Sequence, residues 1–263
     1  MGKLYTIWSP MHRQTATASM VAMAFGLEDA VLTHTQSQMS QLETMLGLNQ
    51  AAKNKVMDNA GMNAILYAID NHKISDEEII SSTIKVRKSG LQILPALGQI
   101  QNGDRNQLLK YVISDRLPKI YDYVFVDLAA GDRGNDFELT KALWNDASVN
   151  FIVLTDGHLW EPYAERYNIP HAVYILGAYH PESRFNISSF KFNISKNVAT
   201  IPYCVEYYDA ISAYTVPEFL MRNKNAAQEV KGNVNKKHFA VKASKNDSIS
   251  YFFKAISEVK SFL

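Results

Sequence analysis

The stretch Trp8–Ala22, WSPMHRQTATASMVA, decides the fold of this 263-residue chain. The segment before it, Leu4–Trp8, is short and mostly apolar, which predicts a buried strand. A helix rich in Ala, Met and small polar residues is predicted over Thr15–Leu27, and a tight polar turn joins the two. A strand, a loop and a helix in this order form the arrangement in which a loop can hold phosphate at a helix N-terminus.

The turn lacks the residue types that phosphate binding requires. A phosphate-binding loop, GxxxxGK[ST], uses glycines to bring backbone N–H groups to the phosphate and a lysine to offset its charge. The span Ser9–Thr15 contains neither Gly nor Lys, and only Thr15, at the position that would hold Mg²⁺, is of the expected type. The sequence therefore predicts a nucleotide-switch fold whose phosphate site has been lost.

Composition narrows the class of protein. Hydrophobic residues make up 47% of the chain and the formal net charge is +1, which excludes bulk disorder and gives no global electrostatic reason to bind nucleic acid. The single cysteine, Cys204, excludes an internal disulfide and a cysteine-based zinc cluster, and we expect it to be structural. Neither a signal peptide nor a membrane span is present, so we expect a cytoplasmic protein, with peripheral contact to the inner face of the membrane left open.

Strand and helix patterns alternate along the chain. They predict an α/β fold, a mostly parallel twisted sheet flanked by helices on both faces. The predicted strands are Leu4–Trp8, Ala30–His34, Leu91–Pro95, Tyr123–Asp127, Phe151–Thr155, Ala172–Leu176 and Asn197–Ile201. The predicted helices are Thr15–Leu27, Gln38–Leu46, Asp58–Asn71, Gly103–Leu117, Phe137–Asp146 and Trp160–Tyr167.

The last part of the chain departs from this alternation. We divide the sequence into a domain over residues 1–222, a polar basic loop over 223–247 and an amphipathic helix over 248–263. The basic loop is either solvated or in contact with nucleic acid or acidic lipid, and we expect no nucleic acid partner. The terminal helix either lies on a membrane or packs on the sheet as the last core helix, and we expect it to pack on the same domain.

Four stretches, in order, resemble motifs of the MinD/ParA family of deviant Walker ATPases. They are TATASMVAMAFGL, YDYVFVDLAAG, the pair LQILPA and ILGAYHPES, and IPYCVEYYDAISAYTVPEFL, and together they extend over residues 3–222. Within the family, the YHPES turn and the IPY segment are most similar to TadZ/CpaE proteins, which localise Tad-type pilus and secretion machinery. The resemblance implies a P-loop NTPase-like fold of MinD/ParA type, a homodimer, and protein partners in a membrane-associated machine.

The resemblance also implies a role for each residue of the loop. Matching KGGVGKTT onto SPMHRQTA puts Ser9 at the family's signature lysine, Gln14 at the P-loop lysine and Thr15 at the Mg²⁺ hydroxyl, with Ala16 next to it. Both lysines are therefore missing. Arg13, or the His that precedes it, could supply replacement charge, or could be an exposed loop residue.

The other family positions are mostly replaced as well. His34 and Gln36 stand where the family has two acidic residues, and His34 is either a general base or a packed histidine at a strand end. Gly177 stands at the adenine-reading Asn. The Walker B Asp is retained as Asp127, which either holds a water on Mg²⁺, or caps the following turn or bonds Thr15 without any metal. Gly131 and Gly134 lie in the switch II segment and are also explained by ordinary turn chemistry.

The favoured functional interpretation is a non-enzymatic scaffold with weak or vestigial nucleotide binding and no catalytic residue. It would localise a Tad-type pilus or secretion assembly, and it would need no cofactor, or bind only ATP and Mg²⁺. The alternative is a divergent, slow ATPase in partitioning or cell positioning that holds Mg-ATP through Arg13, Thr15 and Asp127. A third interpretation is a binding module that takes another anionic ligand in the loop.

Overall fold

An eight-stranded sheet forms the centre of the protein. The computed structural model describes residues 1–11, 13–36, 41–48, 61–70, 74–86, 89–95, 103–130, 135–155, 162–180, 197–226 and 245–263. The strands are β1 Lys3–Trp8, β2 Ala30–His34, β3 Ile84–Lys85, β4 Gln92–Ile93, β5 Tyr123–Asp127, β6 Val149–Leu154, β7 Ala172–Tyr179 and β8 Val198–Pro202. Their order is β3-β4-β2-β5-β1-β6-β7-β8, and only β3 and β4 pair antiparallel. The predicted α/β class is confirmed.

Helices cover both faces of the sheet. On one face lie α1 Arg13–Ala24, α2 Gln41–Met45, α9 Val205–Ser212, α10 Val216–Arg222 and α11 Lys245–Val259, followed by a 3₁₀ turn at Lys260–Phe262. On the other face lie α3 Met62–Asp70, α4 Asp76–Ser81, α5 Gly103–Lys110, a π-helical segment Tyr111–Arg116, α6 Leu117–Ile120, α7 Asn135–Asp146 and α8 Tyr163–Arg166. Because helices lie on both faces, the sheet has a separate hydrophobic core on each side.

The sequence pattern misses four short elements. Strand β3 has only two residues, too few to show any periodicity. Helix α4 begins with a capping box in which Ser75 and Glu78 bond each other's backbone, and that S-x-x-E signal is visible in the sequence. Helices α9 and α10 lie in the tyrosine-rich segment that follows β8, where no helix was predicted.

Strand β1 contributes side chains to both hydrophobic cores, because alternate side chains of a strand point to opposite faces of the sheet. Tyr5 and Ile7 are buried on the α1 face, whereas Leu4 and Trp8 are buried on the opposite face. The Trp8 ring meets the Trp144 ring of α7 edge-on, with 5.3 Å between centroids. The end of β1 is thus fixed from both sides just before the loop.

Helix α1 is buried along almost its whole length. Residues from Ala16 to Phe25 are all buried, which explains why the sequence uses small side chains and methionine there. The helix lies so close to β7 that a Cβ on Gly177 would stand 2.6 Å from Thr15 Cγ2 and 3.1 Å from Val153 Cγ1. Gly177 therefore serves the packing of α1 on the sheet.

The C-terminal helix belongs to the core. Phe252, Phe253, Ile256 and Val259 are buried with residues of α1, α9 and the sheet. The Tyr5 hydroxyl donates to the carbonyl oxygen of Leu263 at 2.7 Å, which ties the end of the chain to the central strand. The apolar face of α11 is therefore covered by the protein itself. Within the described ranges, no helix combines the length and hydrophobicity that crossing a bilayer requires.

Two adjacent substitutions test this packing. Phe252→Ala should lower the free energy of unfolding by about 3–5 kcal/mol, because the ring is fully buried beside Tyr207. Tyr251→Ala, at a residue 40% exposed, should cost less than about 1 kcal/mol. Urea unfolding followed by circular dichroism measures both. Equal, small losses would show that α11 does not pack as described.

Candidate functional site

The candidate site lies at the carboxyl ends of three neighbouring strands. In the parallel register, Asp127 at the end of β5 stands between His34 of β2 and Ile7 of β1. Ligands of such sheets bind outside the carboxyl ends of the strands, so these positions face the expected site. Asp127 is only 1% exposed, and a buried carboxylate needs hydrogen-bond donors to compensate for lost water.

Two side chains donate to the same oxygen of Asp127. The Thr17 hydroxyl, from the first turns of α1, donates to Oδ2 at 2.7 Å. The Gln36 amide nitrogen, from the chain just after β2, donates to Oδ2 at 3.0 Å. Thr17 and Gln36 are themselves buried, so all three polar groups are enclosed in the protein. The carboxylate thereby joins α1, β2 and β5.

Asp127 bonds Thr17 and not Thr15. Thr15 lies two residues earlier on α1, which turns its side chain by about 200° away from Thr17. Its side chain instead lies beside Tyr208, and its methyl group faces Gly177. Burial is the main cause that raises the pKa of Tyr208, and the neighbouring Thr15 hydroxyl partly opposes that rise.

The bond between Thr17 and Asp127 favours an alignment of the chain with the phosphate-loop motif that is shifted by two residues. With Thr17 at the hydroxyl position of GxxxxGK[ST], Ala16 takes the place of the P-loop lysine and Met11 that of the signature lysine. Ala16 is buried and Met11 is 62% exposed. This register is an alternative to the one that places Ser9 and Gln14 at the two lysines, and both lysines are missing in either register.

His34 is a packed residue with both ring nitrogens engaged. The backbone N–H of Gln36 donates to His34 Nδ1 at 3.1 Å, so Nδ1 carries no proton. Nε2 therefore carries the proton and donates to Glu43 Oε1 of α2 at 2.8 Å. The ring is fully buried, which removes it as a general base on a bound water. The Glu43 Oε2 atom is buried without a hydrogen-bond partner.

Backbone bonds fix the chain between His34 and Gln36. The Thr35 N–H donates to the Asp127 carbonyl oxygen at 3.0 Å, and the Ala129 N–H donates to Thr35 Oγ1 at 2.9 Å. His34, Thr35 and Gln36 are thus each hydrogen-bonded to a neighbouring element. The segment His34–Gln36, where the MinD/ParA motifs have two acidic residues, is therefore held against β5 by hydrogen bonds.

A shallow cleft lies beside the N-terminus of α1. Its volume is about 210 Å³, below the range of about 300–1,000 Å³ usual for small-molecule sites. It is lined by Gln14, Gln41, Thr44, Met45, Ile211, Ser212 and Tyr214. None of these described side chains carries a charge at neutral pH that could balance a triphosphate.

One of the two groups bonded to Asp127 is not a ligand for a divalent cation in its present orientation. Mg²⁺ requires oxygen ligands, and the group 3.0 Å from Asp127 Oδ2 is the nitrogen of an amide, a donor that cannot coordinate a cation. Across the described residues, no cluster of three or more His, Cys, Asp and Glu side chains could hold a metal. The two positions that the family fills with carboxylates hold His34 and Gln36.

Several predicted residues lie elsewhere or outside the described residues. Ser9 is buried at the end of β1. Arg13 begins α1, but its side chain, residue 12 and residues 131–134 with both switch glycines lie outside what the structure describes. Cys204 is a buried thiol whose pKa is raised to about 12, chiefly by burial, so it is no nucleophile at neutral pH.

Sequence reasoning missed Thr17 and Glu43. Thr17 could have been found from the sequence, because TATAS contains two threonines in α1. Which of the two faces β5 depends on the residue at which the helix begins. No sequence signal indicates Glu43, because its contact with His34 depends on how α2 packs on the sheet.

Comparison with known proteins is informative only at the level of structure. No protein-family model matches the sequence, and no curated protein matches it. A chain of the MinC:MinD cell division protein complex of Aquifex aeolicus matches with a TM-score of 0.58 and 15% identity, over 90% of this chain and 99% of that one. The septum site-determining protein MinD of Pyrococcus horikoshii, complexed with Mg-ADP, gives 0.59 and 13%, over 98% and 96%.

A third match is a putative plasmid partition protein of Borrelia burgdorferi bound to AMPPNP, with a TM-score of 0.56 and 14% identity over 98% of both chains. The chain has the fold of the MinD and plasmid partition proteins. At these identities the likeness extends to the fold alone. It confirms the fold that the four motifs implied, and it leaves the site to be judged from this chain's own residues.

Two Thr→Val substitutions test the bond to Asp127. Thr17→Val should lower the free energy of unfolding by about 1–3 kcal/mol, since it takes a donor from a buried carboxylate. Thr140→Val is the matched control: its hydroxyl is buried without a partner, so its loss should be neutral or stabilising. Chemical denaturation measures both variants. Equal effects would contradict the Thr17–Asp127 bond.

Proposed function

We propose that this protein is a degenerate member of the MinD/ParA class that acts as a scaffold and does not hydrolyse nucleotide. One observation carries the proposal: the carboxylate of Asp127 is already bonded by Thr17 and Gln36 within the protein. In a working site this carboxylate would hold a water on Mg²⁺. Here its Oδ2 is taken by two side-chain donors.

The loop and the second strand agree with this proposal. Met11 and Ala16 stand where the motif requires lysines, so two positive charges are missing beside the place of a triphosphate. Losing one fixed ammonium at about 4 Å costs roughly 4 kcal/mol at an effective dielectric of 20. His34, buried against Glu43, cannot orient an attacking water.

The role of the scaffold is proposed from the resemblance to TadZ/CpaE proteins. The chain would form a homodimer and bind protein components of a Tad-type pilus or secretion assembly at the membrane. A relative in fold occurs in a MinC:MinD complex, which illustrates that this architecture can bind a partner protein. Because the apolar face of α11 is buried, the proposal assigns membrane attachment to the partner and not to that helix.

Nucleotide titration tests the proposal. We expect no saturable binding of a fluorescent ATP analogue up to millimolar concentration, with either Mg²⁺ or EDTA present, which corresponds to less than about 4 kcal/mol of binding free energy. The readout is fluorescence anisotropy of the analogue. An Asp127→Asn variant, which keeps the side-chain shape, is titrated in parallel.

The opposite result is equally specific. Saturable binding that requires Mg²⁺ and is lost in the Asp127→Asn variant would contradict the scaffold. It would favour the slow ATPase, with Asp127 exchanging its internal bonds for a magnesium-bound water. Phosphate release from ATP by the same samples would then measure its rate.

A further inference from the structure

The negative charge of the buried Asp127 carboxylate needs compensation in this chain, as it would in a metal-dependent relative. It is 1% exposed at the end of β5, where loss of water strongly disfavours an uncompensated negative charge. A metal-dependent site meets this need with a cation. In this chain the Gln36 amide lies at 3.0 Å and the Thr17 hydroxyl at 2.7 Å from Oδ2.

Gln36 is held in place by a series of bonds that starts at α2. Glu43 accepts from His34 Nε2, and His34 Nδ1 accepts the backbone N–H of Gln36. Thr35, between them, is bonded to the backbone of Asp127 and to that of Ala129. The amide is therefore presented to Asp127 by a rigid, buried segment.

The orientation of the amide follows from its partner. A carboxylate oxygen only accepts hydrogen bonds, so the group of Gln36 that faces it must be the NH₂ and not the carbonyl. An amide NH₂ carries partial positive charge and donates in a fixed direction. A glutamate at this position would have the same length and would present an acceptor instead.

We propose that the Gln36 amide takes the place of a bound cation at Asp127 and keeps this site ordered without metal or nucleotide. The inference rests on the proposed function and adds the residue that makes the site independent of ligand. In this account His34 and Gln36 are not simply lost acids. Together with Glu43 they form a metal-free substitute that connects α2 to α1 through Asp127.

The test exchanges the amide for a carboxylate of the same size. Gln36→Glu sets a second buried carboxylate against Asp127, so in EDTA we expect its melting temperature to fall by roughly 5–10 °C relative to the unmodified protein. Millimolar Mg²⁺ or Mn²⁺ should restore it, since the pair then offers oxygen ligands. Isothermal titration with Mn²⁺ should show one site per chain in this variant only.

Gln14→Glu is the matched control. It makes the same chemical change in the first turn of α1, where the side chain is exposed and does not contact Asp127. Its melting temperature should not fall, because a carboxylate in the first turn of a helix is neutral or mildly stabilising, and it should not respond to either cation.

A second variant keeps the test valid if Gln36→Glu does not fold. Gln36→Met has nearly the same length and no donor, so its melting temperature should fall and neither cation should restore it. A Gln36→Met protein as stable as the unmodified chain would overturn the proposal. So would a destabilised Gln36→Glu protein that neither Mg²⁺ nor Mn²⁺ restores.

These measurements use the metals alone, so their failure is separate from that of the proposed function. Nucleotide binding by the unmodified protein would refute the scaffold. Absence of a cation response in Gln36→Glu would refute the substitution by Gln36, whatever the nucleotide titration shows.

Discussion

The site depends on one buried carboxylate. Asp127 ends β5 between β1 and β2, and the hydrogen bonds from Thr17 and Gln36 compensate its charge. Those two bonds join helix α1 to the segment after β2. Through His34 the connection continues to Glu43 on α2. The protein thus satisfies internally a group that related folds would use to hold a ligand.

The packing around α1 explains which features are kept. The helix is buried along nearly its whole length, which explains its Ala- and Met-rich composition, whereas the loop before it contains neither glycine nor lysine. Gly177 permits the close contact of β7 with Thr15, because it has no Cβ to separate β7 from α1. On the same face, Phe252 and its neighbours in α11 complete the core. The composition of α1 and the glycine at position 177 are thus explained by packing.

Much of the fold could be predicted because it is encoded locally. Strands such as Leu4–Trp8 and Tyr123–Asp127 are mostly apolar runs rich in aromatic and β-branched residues, so they can be recognised from their own sequence alone. The site was harder to predict, since it depends on the rotation of helix α1 about its axis and on which strands are neighbours in the sheet. A shift of two residues in α1 exchanges Thr15 for Thr17, and the bond from Gln36 to Asp127 joins residues 91 positions apart. Only the neighbouring positions of β2 and β5 bring them together.

Amide hydrogen exchange at the N–H groups of Thr35, Gln36 and Ala129 tests the central claim most directly, because each of them donates within the connection around Asp127. The account predicts that these amides are protected in EDTA without nucleotide, and that adding Mg²⁺ and ATP leaves their exchange rates unchanged. Rapid exchange in EDTA, followed by protection once Mg²⁺ and ATP are added, would contradict it. Such a result would mean that ligand, and not Gln36, orders the site.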